Sequence, residues 1–408
     1  MVSMNDTPSA NRIHIGVFGK TNSGKSTFIN SFTGQQVSIV SELPGTTTDP
    51  VTKAMEIHPL GACVLVDTAG FDDTTLLGSA RIEKTKAVAE KTDLAVVLIS
   101  GKGLTEGENI QEEMKWVSFF RKKNIPVLVL INENDKVCYN RDLEKEISLQ
   151  FKVLTLSVNV LSREDMSRVK EQLARLLPEE LTEQDITGDL VSGDDVVLLV
   201  MPQDIQAPKG RLILPQVQTI RELLDKKCMV MSVTADQLEH GLQALKNPPK
   251  LIITDSQIFD FVYSHTPKES MLTSFSVLFA AYKGDITYYM EGAKAIDALT
   301  ENSRVLIAEC CTHAPSSEDI GRVKIPALLR KRVGEKLRVD VVSGTDYPVD
   351  LSDYDLIIQC GACMFNRRYV LSRIDRAKEQ KVPMTNYGIT IAHLTGILDK
   401  IMIECKRR

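Results

Sequence analysis

Apolar and polar positions alternate along this chain with two different periods, and the switches between them outline the fold. Short apolar runs at Ile13–Phe18, Cys63–Val66, Leu94–Ile99, Val127–Ile131 and Lys152–Leu156 predict strands. Helical spacing separates them, over Thr27–Phe32, Ala80–Glu90, Glu106–Arg121 and Arg163–Leu177. Such alternation predicts a mostly parallel sheet covered on both faces, with ligands gathered at the carboxyl ends of the strands. Pro178–Asp195 is rich in Glu, Asp, Gly and Thr, lacks an apolar face and predicts a linker. Short strands at Val196–Met201, Met229–Val233 and Leu251–Thr254 follow, with helical spacing at Ile220–Lys226 and Ala235–Leu245. They predict a small α/β unit with a modest core. From Thr266 the pattern predicts helices over Met271–Tyr282 and Tyr288–Ala298 and strands over Val305–Ala308 and Asp355–Gln359. The fold class is therefore α/β, with a large N-terminal domain over 1–178 and two smaller α/β domains over 179–265 and 266–408.

The strand exits carry the chemistry. Gly19-Lys20-Thr21-Asn22-Ser23-Gly24-Lys25-Ser26 lies between the first strand and the first helix, the setting of a phosphate-binding P-loop. Gly19 and Gly24 let successive N–H groups, including those of Asn22, Ser23 and Thr27, point at a phosphate. Lys25 brings a positive charge to the terminal phosphates, and Ser26 is placed to bind Mg²⁺. Asp67-Thr68-Ala69-Gly70 closes the next apolar strand, where Asp67 serves Mg²⁺ and Gly70 the γ-phosphate. Pro44-Gly45-Thr46-Thr47-Thr48-Asp49 lies between, and Thr47 is favoured there as a Mg²⁺ and γ-phosphate group, with Thr46 and Thr48 competing. After Ile131, Asn132-Glu133-Asn134-Asp135 keeps the asparagine and aspartate of a guanine-recognition motif but has Glu133 in place of lysine. Asp135 accepts from the two donors on the edge of guanine, which adenine does not present. Ser157-Val158-Asn159 sits where a further loop supports the base.

Together these motifs make residues 11–177 resemble a Ras-like GTPase domain of the Era and tRNA-modification type. The resemblance implies GTP and Mg²⁺ as ligands and GTP hydrolysis as the activity. Phe71 stands where Ras-like switches carry a water-orienting glutamine, so hydrolysis needs other help and is expected to be slow. Asn22 matches the asparagine of the potassium-activated members, which implies K⁺ against the phosphates.

Composition sets the class and little else. The chain has 408 residues, a net charge of −5, 43% hydrophobic and 25% charged residues. That is ordinary globular composition with no general pull toward nucleic acid or anionic membrane. Met1–Asn11 is polar, no apolar run reaches membrane-spanning length, and a cytoplasmic protein is expected. Eight cysteines are too few and scattered for a disulfide framework. Cys63, Cys138, Cys228 and Cys405 are isolated, whereas Cys310, Cys311, Cys360 and Cys363 crowd the last third.

Cys311-Thr312-His313 and Gln359-Cys360-Gly361-Ala362-Cys363 follow the last two predicted strands, which adjacent parallel pairing would bring to one edge. Three readings compete: a redox thiol pair, a structural zinc with His313 as fourth ligand, and a cubane iron–sulfur cluster on three cysteines. A GTPase domain followed by Cys-x-His and, further on, Cys-x-x-Cys resembles the FeFe-hydrogenase maturation GTPases over essentially the whole chain. That family implies GTPase, dimerisation and 4Fe–4S domains. It also implies a scaffold that receives a di-iron precursor from two radical-SAM maturases and passes it to apo-hydrogenase. Carried over, Cys311, Cys360 and Cys363 are the cluster ligands and Cys310 a packed neighbour. Gln359 replaces the family's histidine, which leaves the fourth site to His313, Glu318, Asp319 or solvent. A homodimer without nucleic-acid or membrane partners is expected. The alternatives are a tRNA-modification-type GTPase acting through Cys405, and a GTPase with a structural zinc.

Overall fold

The computed structural model describes residues 9–34, 51–70, 78–105, 109–133, 141–178, 185–203, 212–310 and 319–402. The chain divides into two compact units, Met1–Glu183 and Gln184–Arg408.

In the first unit the described strands are β1 (Ile13–Gly19), β2 (Val51–Ile57), β3 (Gly61–Asp67), β4 (Leu94–Ser100), β5 (Val127–Asn132) and β6 (Leu154–Val158). They form one sheet in the order β2-β3-β1-β4-β5-β6, parallel except for β2 against β3. β4 and β5 are covered on both faces, which is why they read as nearly unbroken apolar runs rather than alternating ones. One face packs against Phe28, Ile29, Phe32 and Leu173, and the other against Trp116, Phe120 and Phe151. β2 was not anticipated. Its residues alternate half-buried and exposed, as an edge strand does. The helix Arg141–Phe151 was likewise not anticipated, and the expected helix over Glu106–Arg121 is described as Gln111–Lys122.

The second unit holds two four-stranded sheets. β7 (Val196–Val200), β8 (Met229–Val233), β9 (Leu251–Thr254) and β10 (Met271–Ser274) lie in the order β10-β9-β7-β8. β11 (Arg304–Ala308), β12 (Arg338–Val342), β13 (Leu356–Gln359) and β14 (Met384–Asn386) lie in the order β12-β11-β13-β14. Every pairing in both sheets is parallel. The sheets share a core: Leu198 and Ile252 of one pack in the same cluster as Leu306, Ile357 and Met384 of the other.

Three expectations change here. Ile186, Leu190 and Val191 are buried with Leu199 and Ile253, and Thr187 bonds Glu222 through both its N–H and its hydroxyl. The stretch read as a linker up to Asp195 therefore belongs, from residue 186, to the folded unit. Met271–Ser274 is a strand rather than the start of a helix. Leu272–Ser274 are buried, and Ser274 then caps the helix Phe275–Lys283 by accepting from the Val277 N–H. Because β10 pairs with β9, the middle sheet continues past the boundary expected after residue 265.

The shared core leaves little room at the helix Ile286–Ala293. A Cβ on Gly292 would lie 2.0 Å from the Met384 carbonyl oxygen of β14. Backbone cannot yield as a side-chain tip does. Gly292→Ala is expected to destabilise this unit by about 1–3 kcal/mol or more, read as a lowered urea midpoint of its transition; an unchanged midpoint would contradict this packing.

Candidate functional site

The first site lies where β1, β3 and β5 end. Gly19 and Gly24 have φ of +153° and +97°, and Gly24 caps the helix Lys25–Thr33 in a left-handed conformation. Substitution is excluded twice over: a Cβ on Gly19 would lie 2.5 Å from the Leu98 carbonyl oxygen, and one on Gly24 2.4 Å from Asn132 Nδ2. Asn22 is exposed at φ +62°, Thr27 is exposed and Ser23 is buried. The Lys25 ammonium, almost wholly buried, donates to the carbonyls of Gly19 (3.0 Å) and Lys20 (2.7 Å). The loop is thus curled around its own lysine, within reach of the space a phosphate would take.

Ser26 Oγ donates to Asp67 Oδ2 at 2.9 Å, joining the first helix to the end of β3. Burial raises the Asp67 carboxyl above its usual range, opposed by the Ser26 hydrogen bond and by Lys25. Among the described residues Asp67 Oδ1 and Ser23 Oγ are buried without hydrogen-bond partners, as oxygens fitted to a hydrated cation and a phosphate would be. Thr68 ties the same strand exit to β1 through the Val17 carbonyl (2.7 Å), and Gly70 follows, half-buried.

Asn132, at the end of β5, donates from Nδ2 to the Ser23 carbonyl at 3.1 Å and so pins the P-loop to the base-side loop. Glu133 is buried, and its N–H donates to the Val158 carbonyl at 2.9 Å. The buried Ser157 N–H donates to Glu144 Oε2 (2.8 Å), while its hydroxyl has no partner among the described residues. Thr47, Phe71, Asn134 and Asp135 lie outside the described residues.

The second site lies at the carboxyl ends of β11 and β13. Ala308 and Gln359 face each other in register, so the chain leaves both strands side by side. Cys360 Sγ accepts from the backbone N–H of Cys310 (3.0 Å) and of Ala362 (3.4 Å), and Ala362 takes φ +50° to close the Cys-x-x-Cys turn. The neighbouring Cys310 thiol, with those N–H groups, holds Cys360 below the usual thiol range against burial, whereas burial pushes Cys310 well above it. N–H groups directed at a half-buried cysteine sulfur favour its thiolate form, and a Cys-x-x-Cys pair is a donor set that fits a soft metal.

Among the described residues no group of three or more Cys, His, Asp and Glu side chains converges on one point. Cys311, His313 and Glu318 lie outside those residues. The described residues on either side of them are joined to each other. Glu309 before them takes two hydrogen bonds from Arg322 after them (3.1 and 3.0 Å), and Ser343 donates to the same oxygen. Asp319, considered as a fourth ligand, caps the turn after it by accepting from the Arg322 N–H at 2.8 Å.

Cys310 is expected from the family resemblance only as a packed neighbour. It is buried, yet its N–H and sulfur both belong to the Cys360 network. Two buried cations had given no signal. Lys283 donates to the carbonyls of Ala362, Cys363 and Phe365, and Arg373 donates to Cys310 Sγ and Gln359 Oε1. Lys283 ends an apolar helix, and Arg373 sits in the basic stretch Arg367–Arg376, which reads as a solvated face.

Family models match three stretches of the chain. Residues 14–133 match a 50S ribosome-binding GTPase, 186–284 the hydrogen maturase F dimerization domain, and 287–404 the hydrogen maturase F tetramerization domain. GTPase Era of Aquifex aeolicus is 29% identical over 187 residues, 43% of this chain and 61% of that protein. GTPase Der of Clostridium perfringens is 24% identical over 278 residues, 64% of this chain and 56% of that protein. The chain thus spans 61% and 56% of the length of these two relatives. A crystal structure of an Aquifex aeolicus Era variant bound to GDP.AlF4- is similar at 19% identity and a TM-score of 0.37, covering 54% of this chain and 92% of that one.

The raised Asp67 carboxyl has a consequence for stability. Protonation favours the fold, so this group's contribution is full below the ordinary carboxylate range and is lost as pH rises through the raised value. Nucleotide- and metal-free Asp67→Asn is expected to melt above wild type at pH 7, with the gap closing on acidification to pH 4. A lower melting temperature at pH 7 would contradict the burial of an ionised Asp67.

Proposed function

This chain belongs to the hydrogen maturase F family, and from that premise we propose that it is a GTP-hydrolysing scaffold that holds a 4Fe–4S cluster and delivers a di-iron precursor to apo-FeFe-hydrogenase. The observation that carries the reading is the order of its parts: a P-loop with Ser26 bonded to Asp67, then the two hydrogen maturase F domains, the second containing the Cys360 cradle. The domain divisions that fit both sheets and matches are a GTPase domain to residue 178, a dimerisation domain to about 284 and a cluster domain beyond it. The dimerisation and tetramerisation matches support a homodimer that assembles further. Among the described residues no helix is long and apolar enough to cross a membrane, in keeping with a cytoplasmic carrier.

In this reading Lys25 leaves the Gly19 and Lys20 carbonyls for the terminal phosphates, and the N–H groups of Asn22 to Thr27 cradle them. Ser26, Asp67 and Thr47 hold Mg²⁺, with Gly70 at the γ-phosphate. Asn132 holds the P-loop while Asp135 and Ser157 serve the guanine. Asn22 supports K⁺. Cys311, Cys360 and Cys363 hold the cluster, and His313 is the candidate fourth ligand. When bound, the cluster supplies an iron with one weakly held position at which the di-iron cargo docks. The cargo is the substrate, made by two radical-SAM maturases.

Two measurements test the GTPase half. Lys25→Ala is expected to weaken GTP binding about 10- to 100-fold, the worth of charge-assisted hydrogen bonds to phosphate; unchanged affinity would contradict the phosphate role. Wild type is expected to turn over GTP faster in K⁺ than in Na⁺, a difference that Asn22→Ala abolishes; equal rates in both salts would remove the cation from the account. The maturation role is tested with extracts that contain both maturases and apo-hydrogenase but lack this chain. Adding wild type is expected to restore hydrogen evolution, and Cys360→Ser is not. Restoration by Cys360→Ser would overturn the cluster's part in delivery.

A further inference from the structure

Arg373 is only 1% exposed and is among the largest fully buried side chains of the described residues. A guanidinium does not deprotonate inside a protein, so this burial is the burial of a full positive charge. Its hydrogen bonds run to Cys310 Sγ (3.4 Å), Gln359 Oε1 (3.2 Å) and the Gly344 carbonyl, and among the described residues Nε makes none. Tyr347 and Tyr369 lie with ring centres 4.8 Å from its guanidinium carbon, and Phe365 at 5.6 Å. No carboxylate pairs with it among the described residues. Neutral oxygens, a thiol and three aromatic faces do not compensate a buried charge; an anion does.

The anion's place is given by the network. Gln359 Nε2 donates to Cys310 Sγ at 2.9 Å, and the Cys310 N–H donates to Cys360 Sγ at 3.0 Å, so Arg373 is linked to the first sulfur of the Cys-x-x-Cys turn through Cys310 and Gln359. A second cation arrives independently from another helix. Lys283, 2% exposed, ends Phe275–Lys283 and donates to the carbonyls of Ala362 (3.0 Å), Cys363 (3.3 Å) and Phe365 (2.9 Å). Two buried cations thus bond the two stretches that flank and carry this pair of sulfurs. Thiolates binding a cluster carry net negative charge, which increases on reduction, and nearby positive charge in a low dielectric favours the reduced form.

We propose that Arg373 and Lys283 are positioning residues that form the buried counter-charge of the cluster cage, fixing the Cys310–Gln359 pair and the Cys360–Cys363 turn and raising the cluster's reduction potential. The proposal rests on the cluster reading above. A purely structural Arg373, holding Gly344 and the aromatic rings, would alter stability and leave the potential where it is.

The test uses full-length protein reconstituted anaerobically with iron and sulfide: wild type, Arg373→Lys, Arg373→Met and Lys283→Met. Iron per chain is measured together with the midpoint potential, from the EPR signal during reductive titration. Both methionine variants are expected to titrate at more negative potential than wild type and to lose iron faster to a chelator. Arg373→Lys is expected to recover most of the potential. Should Arg373→Met not fold, Arg373→Gln takes its place, and Lys283→Met tests the second cation separately. Wild-type potentials in the folded methionine variants, whatever their melting temperatures, would overturn the proposal and leave the cluster intact. Wild type without iron would overturn the cluster reading, and this proposal with it.

Discussion

Adjacent parallel strands must end at the same edge of a sheet, and both candidate sites of this chain depend on that constraint. In the first unit β1 and β3 run side by side, so the helix that follows one and the aspartate that closes the other meet as the Ser26–Asp67 hydrogen bond. In the second unit β11 and β13 end in register, which sets Cys310 against Cys360 although fifty positions separate them in sequence. Neither contact depends on a local turn alone. An antiparallel pairing of the same strands would send the partners to opposite edges.

Burial of polar groups is the second constraint, and the two sites meet it differently. Around the P-loop, Ser23 Oγ, Asp67 Oδ1, Asn132 Oδ1 and Ser157 Oγ are buried with no hydrogen-bond partner among the described residues. A fold carries such groups at a cost, and their gathering along strand exits marks a surface shaped for a polar ligand rather than for stability. At the cysteine site the Cys360 sulfur instead accepts from two backbone N–H groups, with Lys283 bonded to the turn that carries it and Arg373 to the neighbouring Cys310. The first arrangement suits a nucleotide that comes and goes. The second suits a resident charge.

What was legible in the sequence follows the range of the interactions concerned. The P-loop, the Asp67 strand exit and the apolar central strands are local patterns whose physics acts within a few residues. The pairing of β11 with β13 was also within reach, because both strands are apolar and chemistry-bearing residues follow each. The antiparallel β2 was hidden by its half-exposed alternation, and Met271–Ser274 by its continuity with the apolar helix that it precedes. Ile186–Val191 looked like linker because its few apolar residues find partners only in distant strands. Arg373 was least legible of all. Inside a basic stretch its composition signals solvent, and only tertiary packing against Tyr347, Phe365 and Tyr369 takes it into the core.

The account's central claim is that the Cys360 cradle belongs to an iron–sulfur centre. The most direct test is iron and sulfide analysis of anaerobically purified protein, with EPR after dithionite reduction, for wild type beside Cys360→Ser. About four irons and four sulfides per chain, with a reduced-cubane signal that is lost in the variant, is the result the account predicts. Zinc in place of iron with a silent spectrum, or an unchanged cluster in Cys360→Ser, would contradict it.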